Sequence, residues 1–74
     1  MKDKINKWLN NEATPNELGE DVKHYIHYIN EHFSKTDILN MKCIRETDYS
    51  FGIEIKNKGY VERFSIIKFI DLDD

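Results

Sequence analysis

The sequence has one cysteine, one proline and three glycines among 74 residues, and it has no long uninterrupted run of apolar residues. A single cysteine cannot form an intrachain disulfide, which excludes a small disulfide-stapled scaffold. The apolar stretches are too short and too often interrupted by charges for a membrane span or a secretory hydrophobic region. A free thiol without an export signal predicts a cytoplasmic location.

An excess of charge of either sign is also missing, because 11 Lys/Arg and 14 Asp/Glu leave a formal net charge of −3. The sequence therefore has neither a basic nucleic-acid arm nor an extended acidic tail. Its apolar fraction of 39% is enough for a core, so we expect one folded domain over 1–74. Only residues 71–74 are predicted to fray. The abundance of Lys, Asn and Ile, which have AT-rich codons, is associated with a bacterial or phage origin.

The clearest secondary-structure signal is a capping box at residues 14–17, Thr-Pro-Asn-Glu. It predicts a long amphipathic helix that begins there and ends near Phe33 or Ser34. Its apolar face is predicted to contain Leu18, Val22, Tyr25, Ile26, Ile29 and Phe33. Before it, the spacing of Ile5, Trp8 and Leu9 predicts a short helix with Trp8 as its anchor.

Beyond Asp37 the apolar period changes from 3.6 to 2, which indicates strands. Leu39, Met41 and Cys43 alternate with polar residues or Ile44, residues 51–56 alternate again, and a third strand follows from Tyr60 to about Phe69. The segment 57–59, Asn-Lys-Gly, is typical of a hairpin turn, with Gly59 supplying the positive φ of a bulged loop. The predicted fold is α+β, with a short helix, a long helix and a three-stranded antiparallel meander (ααβββ), and with both helices on one sheet face.

The third strand has apolar residues of both parities, which predicts either a bulge in that strand or burial on both of its faces. Two helices can cover only one face of the sheet, so we expect apolar residues on the other face to contact a partner. The predicted protein-contact residues are Ile44, Tyr60, Ile67, Phe69 and Ile70.

The predicted long helix carries His24 and His27 with acidic residues on the side opposite its apolar face. This pattern has two interpretations, a solvated polar face or a transition-metal site, and its spacing differs from that of metalloprotease helices. The alternation of its strand places Cys43 in the core, which argues against a catalytic thiol. The sequence has no nucleophile-elbow, phosphate-loop or CxxC motif, and we predict neither catalysis, a cofactor nor a metal.

The favoured hypothesis is a non-catalytic protein-interaction module, a regulator or inhibitor of a larger protein, with homodimerisation as the simplest use of the surface. The alternative is a small nucleic-acid-binding regulator that uses the sheet and its hairpin. Residues 38–70 contain six Lys/Arg and four Asp/Glu, and aromatic residues among them could stack on bases. The residues of this alternative are Lys56, Lys58 and Arg63. No motif resembles a particular family closely enough to name one.

Overall fold

In the computed structural model, which describes residues 1–68, helices are followed by one antiparallel sheet. The helices are α1 (Lys2–Leu9), α2 (Pro15–Leu18), α3 (Glu20–His32) and α4 (Lys35–Leu39), and the strands are β1 (Met41–Glu46), β2 (Ser50–Asn57) and β3 (Tyr60–Ile67). The strand order is β1-β2-β3, so β1 and β3 form the two edges. The predicted α+β class and its order of elements are confirmed. The predicted fraying of 71–74 lies outside the described residues.

The predicted long helix contains a break at Gly19. The capping box is present, because the Thr14 amide donates to the Glu17 carboxylate at 2.8 Å and Thr14 Oγ1 accepts from the Glu17 amide at 3.4 Å. Gly19 has φ +110°, a backbone conformation that stops α2 and that favours glycine. A Cβ at this position would lie 3.2 Å from Asp21 Oδ1. The apolar face continues beyond the break in α3.

A short fourth helix, α4, occupies a segment predicted as a loop and the start of a strand. Ser34 caps it, because Ser34 Oγ accepts from the Asp37 amide at 3.1 Å. The assignment of Leu39 to β1 is therefore wrong, since Leu39 ends α4 and its side chain is 80% exposed. The hydrogen bond from the Asp37 amide to Ser34 stabilises the start of α4. It outweighs the period-2 pattern, which within α4 rested on Leu39 alone.

The core lies between the helices and one side of the sheet, which we call the front face. Its buried residues are Ile5, Val22, Tyr25, Ile26, Ile29, Met41, Cys43, Phe51, Ile53, Ile55 and Ile66. The ring of Tyr25 packs edge-on against that of Phe51, with centroids 5.0 Å apart. The core position predicted for Cys43 is confirmed. Ile5, rather than the half-buried Trp8, is the fully buried residue of α1.

The strands β2 and β3 pair in one continuous register, from Ser50 opposite Ile67 to Asn57 opposite Tyr60. The bulge predicted for the third strand is therefore wrong, and the irregularity lies in β1, between Cys43 and Arg45. The hairpin turn is confirmed at the predicted residues. Its two central residues, 58 and 59, have φ of 50° and 88°, which makes it a two-residue turn without a bulge.

The outer edge of β1 is covered at Cys43 by a side chain from α1. Asn6 Nδ2 donates to the Cys43 carbonyl at 2.9 Å, and the Cys43 amide donates to Asn6 Oδ1 at 2.9 Å. One side-chain amide therefore makes both hydrogen bonds that a neighbouring strand would make at this residue. This contact attaches α1 to the sheet and covers an edge that would otherwise offer its backbone to another chain.

We expect Asn6→Ala to lower the free energy of unfolding by about 1–3 kcal/mol, because it leaves the Cys43 amide and carbonyl without these partners. Urea denaturation followed by circular dichroism measures the change. Lys4→Ala, an exposed position on the same helix, is the matched control and should change stability by less than about 0.5 kcal/mol. Equal stabilities of the two variants would contradict the role assigned to Asn6.

Candidate interaction surface

The outer edge of β3 is open along its length. Seven of its eight residues are exposed and only Ile66 is buried. The Lys68 amide donates to the Tyr49 carbonyl at 2.8 Å, and hydrogen-bonded pairs alternate along an antiparallel ladder. The backbone groups that point away from β2 are therefore those of Val61, Arg63, Ser65 and Ile67, and no other strand within residues 1–68 lies beside them.

Exposed apolar side chains lie on both sides of β3. Tyr60 and Phe64 are on the front face and are 74% and 39% exposed, although Phe64 contacts Phe33 edge-on at 5.3 Å. Val61 and Ile67 are on the opposite side, which we call the reverse face, and are 53% and 57% exposed. Burial of the third strand on both faces was the second predicted explanation for its two parities, and it is also wrong.

Two of the predicted contact residues, Tyr60 and Ile67, are exposed on β3, but they lie on opposite faces of it. Ile44 is half-buried in the β1 bulge, where its Cγ1 would lie 3.8 Å from a Cβ at Gly52. Phe69 and Ile70 lie outside the described residues. The sequence interpretation did not select Val61 and Phe64. Val61 and Phe64 are identified as exposed by their position on the edge strand β3. The number of predicted helices does not show which strand lies at the edge.

The reverse face is more polar than the sequence suggested. It consists of Lys42, Ile44, Arg45, Ser50, Gly52, Glu54, Lys56, Val61, Arg63, Ser65 and Ile67. Its four basic residues and one carboxylate give it a net charge of +3, although the whole chain carries −3. The apolar residues lie in the β1 bulge and towards the two ends of β3. The exposed apolar surface therefore follows the β3 edge instead of covering the face.

Two of the three residues assigned to nucleic-acid binding contact the same carboxylate. Arg63 Nε lies 3.3 Å from Glu54 Oε2, and Lys56 Nζ lies 3.9 Å from Glu54 Oε1. Lys58 is in the hairpin turn. The exposed rings of Tyr60 and Phe64 are on the front face, so bases stacked on them would not lie over the basic reverse face.

The histidines of α3 interact with neighbours on their own helix. His27 Nε2 lies 3.8 Å from Glu31 Oε1, and His32 stacks on the ring of Tyr28 with centroids 4.0 Å apart. Across residues 1–68, no group of three or more His, Cys, Asp or Glu is placed to hold a metal ion. No helix in this range is both long and apolar enough to cross a bilayer.

The Cys43 thiol and the Glu46 carboxyl have shifted pKa values with structural causes. Burial raises the pKa of Cys43, which disfavours the reactive thiolate. Glu46 accepts from Lys68 Nζ at 2.7 Å and from the Lys2 amide at 2.9 Å, and it lies 3.1 Å from the Met1 ammonium. These donors, Lys68 first, lower the pKa of Glu46 to about 2. The carboxylate thereby joins the start of α1 to the residue that follows β3.

The Glu46 cluster predicts a specific loss of stability in acid. A carboxyl whose pKa is lower in the folded chain stabilises the fold fully above its unfolded pKa, near 4.5. That contribution is lost as the pH falls towards about 2, because protonation removes the ion pairs. We expect Glu46→Gln to be less stable than the parent at pH 7 and to lose less stability on acidification to about pH 2.

Urea midpoints measured at several pH values between 7 and 2 test this expectation. Glu12→Gln, at an exposed position between α1 and α2, is the control and should follow the parent. A Glu46→Gln variant whose stability falls as steeply as that of the parent over this pH range would refute a structural role for the cluster.

Comparison with known proteins assigns no relatives to this fold or this surface. No family model matches the sequence, and no curated protein or solved structure matches the chain. What the protein does is therefore inferred from its own exposed groups.

Proposed function

We propose that the protein is a non-catalytic interaction module that binds an extended segment of another polypeptide along the β3 edge. The observation that carries this proposal is the difference between the two edges of the sheet. Asn6 occupies the backbone groups of β1 at Cys43, whereas the outward groups of β3 from Val61 to Ile67 face no strand within residues 1–68.

Strand addition would use the backbone and the side chains of β3 together. The added backbone forms hydrogen bonds to the outward amides and carbonyls, and its alternating side chains contact the two faces. It would cover Tyr60 and Phe64 on one side and Val61 and Ile67 on the other. Edge strands that avoid such pairing carry a proline, a bulge or charged side chains, and of these features β3 has only the charged residues Glu62 and Arg63. β3 contains no proline and pairs with β2 without a bulge.

The reactive groups near this surface support a binding role over a catalytic one. Ser50 and Ser65 line a shallow depression of 130 Å³ on the reverse face, and neither a histidine nor a carboxylate lines it with them. A serine nucleophile needs an adjacent base. Cys43, the other candidate nucleophile, is buried and its pKa is raised.

We predict that Ser65→Pro abolishes partner binding and leaves the fold intact, because the Ser65 amide points away from β2 and only an added strand uses it. Proline is tolerated at edge positions of this kind. Ser65→Ala, which keeps the N–H, is the matched control and should bind like the parent. Affinity purification from the native host supplies the partner, and titration calorimetry with the purified partner compares the variants.

Amide hydrogen exchange measured by NMR locates the contact. Protection on complex formation should appear at Val61, Arg63, Ser65 and Ile67. Ser65→Pro binding as tightly as Ser65→Ala, with both variants folded, would exclude strand addition at β3.

The net charge of +3 on the reverse face favours nucleic-acid binding as a second candidate. Phosphate contacts alone would supply weak binding without base recognition, and binding of this kind weakens steeply with salt. Lys56 and Arg63 both contact Glu54. Their charges are therefore less available to bind the phosphate backbone of a nucleic acid.

Fluorescence anisotropy with single-stranded and double-stranded oligonucleotides, at low and moderate salt, tests this candidate. If the protein binds nucleic acid, a complex forms at low salt, and Lys56→Ala, Lys58→Ala and Arg63→Ala each weaken it by several fold. Lys4→Ala on α1 removes the same charge and is the control. The absence of a complex at low salt would eliminate nucleic-acid binding.

A further inference from the structure

We infer that the depression of 130 Å³ on the reverse face binds a single phosphate group, either inorganic phosphate or the phosphoryl group of a small monoester. Its polar lining residues are Arg45, Ser50, Arg63 and Ser65. This site is separate from the outward backbone of β3, which strand addition uses, and the two can be tested independently.

The register of the sheet creates the depression. Arg45, Gly52 and Ser65 lie side by side across the three strands, because Arg45 pairs with Gly52 and Gly52 pairs with Ser65. Gly52 has no side chain, so the middle of this row is backbone. A Cβ there would lie 3.5 Å from Arg45 Cβ, so any other residue would fill part of the space. Ser50 and Arg63, in the neighbouring rows of the same face, border it.

The charges around the depression suit a doubly charged anion. Within residues 1–68, the Arg45 guanidinium and the Ser65 hydroxyl have no hydrogen-bonding or ionic partner. Arg63 donates to Glu54 through Nε at 3.3 Å, which leaves its other N–H donors. Because Lys56 also contacts Glu54, these two cations and one carboxylate keep a charge of +1. With Arg45, the surroundings carry +2.

These donor groups match the chemistry of a phosphate group. A guanidinium group binds phosphate through two parallel N–H donors, and a serine hydroxyl can donate to the same anion. The volume of 130 Å³ is below the roughly 300–1,000 Å³ of most small-molecule sites. One phosphate group is therefore held, whereas a nucleic-acid backbone would contact a row of cations.

Titration followed by ¹H–¹⁵N NMR spectra tests the site. The probes are inorganic phosphate and phenyl phosphate at about pH 7.5, above the second pKa of a phosphate monoester, about 6. The ionic strength is held at about 0.1 M, so that screening of the whole face stays constant. We expect saturable shifts of the Arg45, Gly52 and Ser65 amides with a dissociation constant of about 10 mM or below.

Three variants separate a defined site from the general charge of the face. Arg45→Ala should raise the dissociation constant by about tenfold, because charge-assisted hydrogen bonds are lost. Lys42→Ala is the matched control, since it removes the same charge from β1 on the same face but outside the lining. It should stay within about threefold of the parent, because its distant charge is screened. Gly52→Val suits a strand and fills the floor, so it should abolish saturable binding.

The two probes distinguish the sources of the phosphate group. Tighter binding of phenyl phosphate assigns the site to a monoester, and tighter binding of inorganic phosphate assigns it to the free ion. Acetate, a singly charged carboxylate, is the control ligand and should bind about tenfold more weakly than either.

Three results would overturn the inference. They are shifts that stay linear up to about 50 mM phosphate, equal binding of acetate and phosphate, and equal losses in folded Arg45→Ala and Lys42→Ala. Equal losses in these two variants together with a salt-sensitive oligonucleotide complex would instead support nucleic-acid binding across the whole face.

Discussion

The reciprocal hydrogen bonds between Asn6 and Cys43 cover one edge strand of this sheet at the residue where α1 contacts it. A three-stranded sheet has two edges, and its outer strands must either cover their outward backbone groups or leave them to solvent. Here one side-chain amide occupies both groups of a β1 residue at 2.9 Å. Because Asn6 lies one position after the fully buried Ile5, the same turn of α1 fills the core and closes the edge.

The opposite edge has no comparable cover within the described residues, and the helices explain why. α3 and α1 lie over the part of the sheet where Met41, Cys43 and the β2 residues are buried, whereas the front face of β3 is reached only near Ile66 and Phe64. The hairpin end of β3, with Tyr60, extends beyond this cover. The apolar residues exposed there result from the placement of the helices, and any chain that pairs with β3 would cover them.

The sequence predicted the elements with strong local signals and missed those that depend on neighbours in space. The Thr14–Glu17 capping box and the hairpin turn at 57–59 were found because each is encoded within four residues. The break at Gly19 was missed because the apolar face continues across it. The bulge was expected in β3, where parity changes, but it lies in β1, where Ile44 follows Cys43. Parity alone could not distinguish a bulge from an exposed edge.

The candidate site was predicted only in part, for the same physical reason. Exposed apolar residues on strand three could be expected from the sequence, since two helices can cover only one face of the sheet. Their arrangement as a line along an edge requires the strand order, which local patterns do not give. The charge of the reverse face likewise follows from the register, which brings Arg45, Arg63 and Lys56 to one side.

The closure of one edge by Asn6 also limits how many molecules can join through their sheets. A sheet with two open edges can add strands at both sides without limit, as fibrils do. A sheet with only one open edge can pair with one other strand at that edge, so the pairing of two such edges leaves no edge for a further molecule. The polar contact of Asn6 with Cys43 therefore disfavours strand addition at the β1 edge, and with it open-ended polymerisation through both edges.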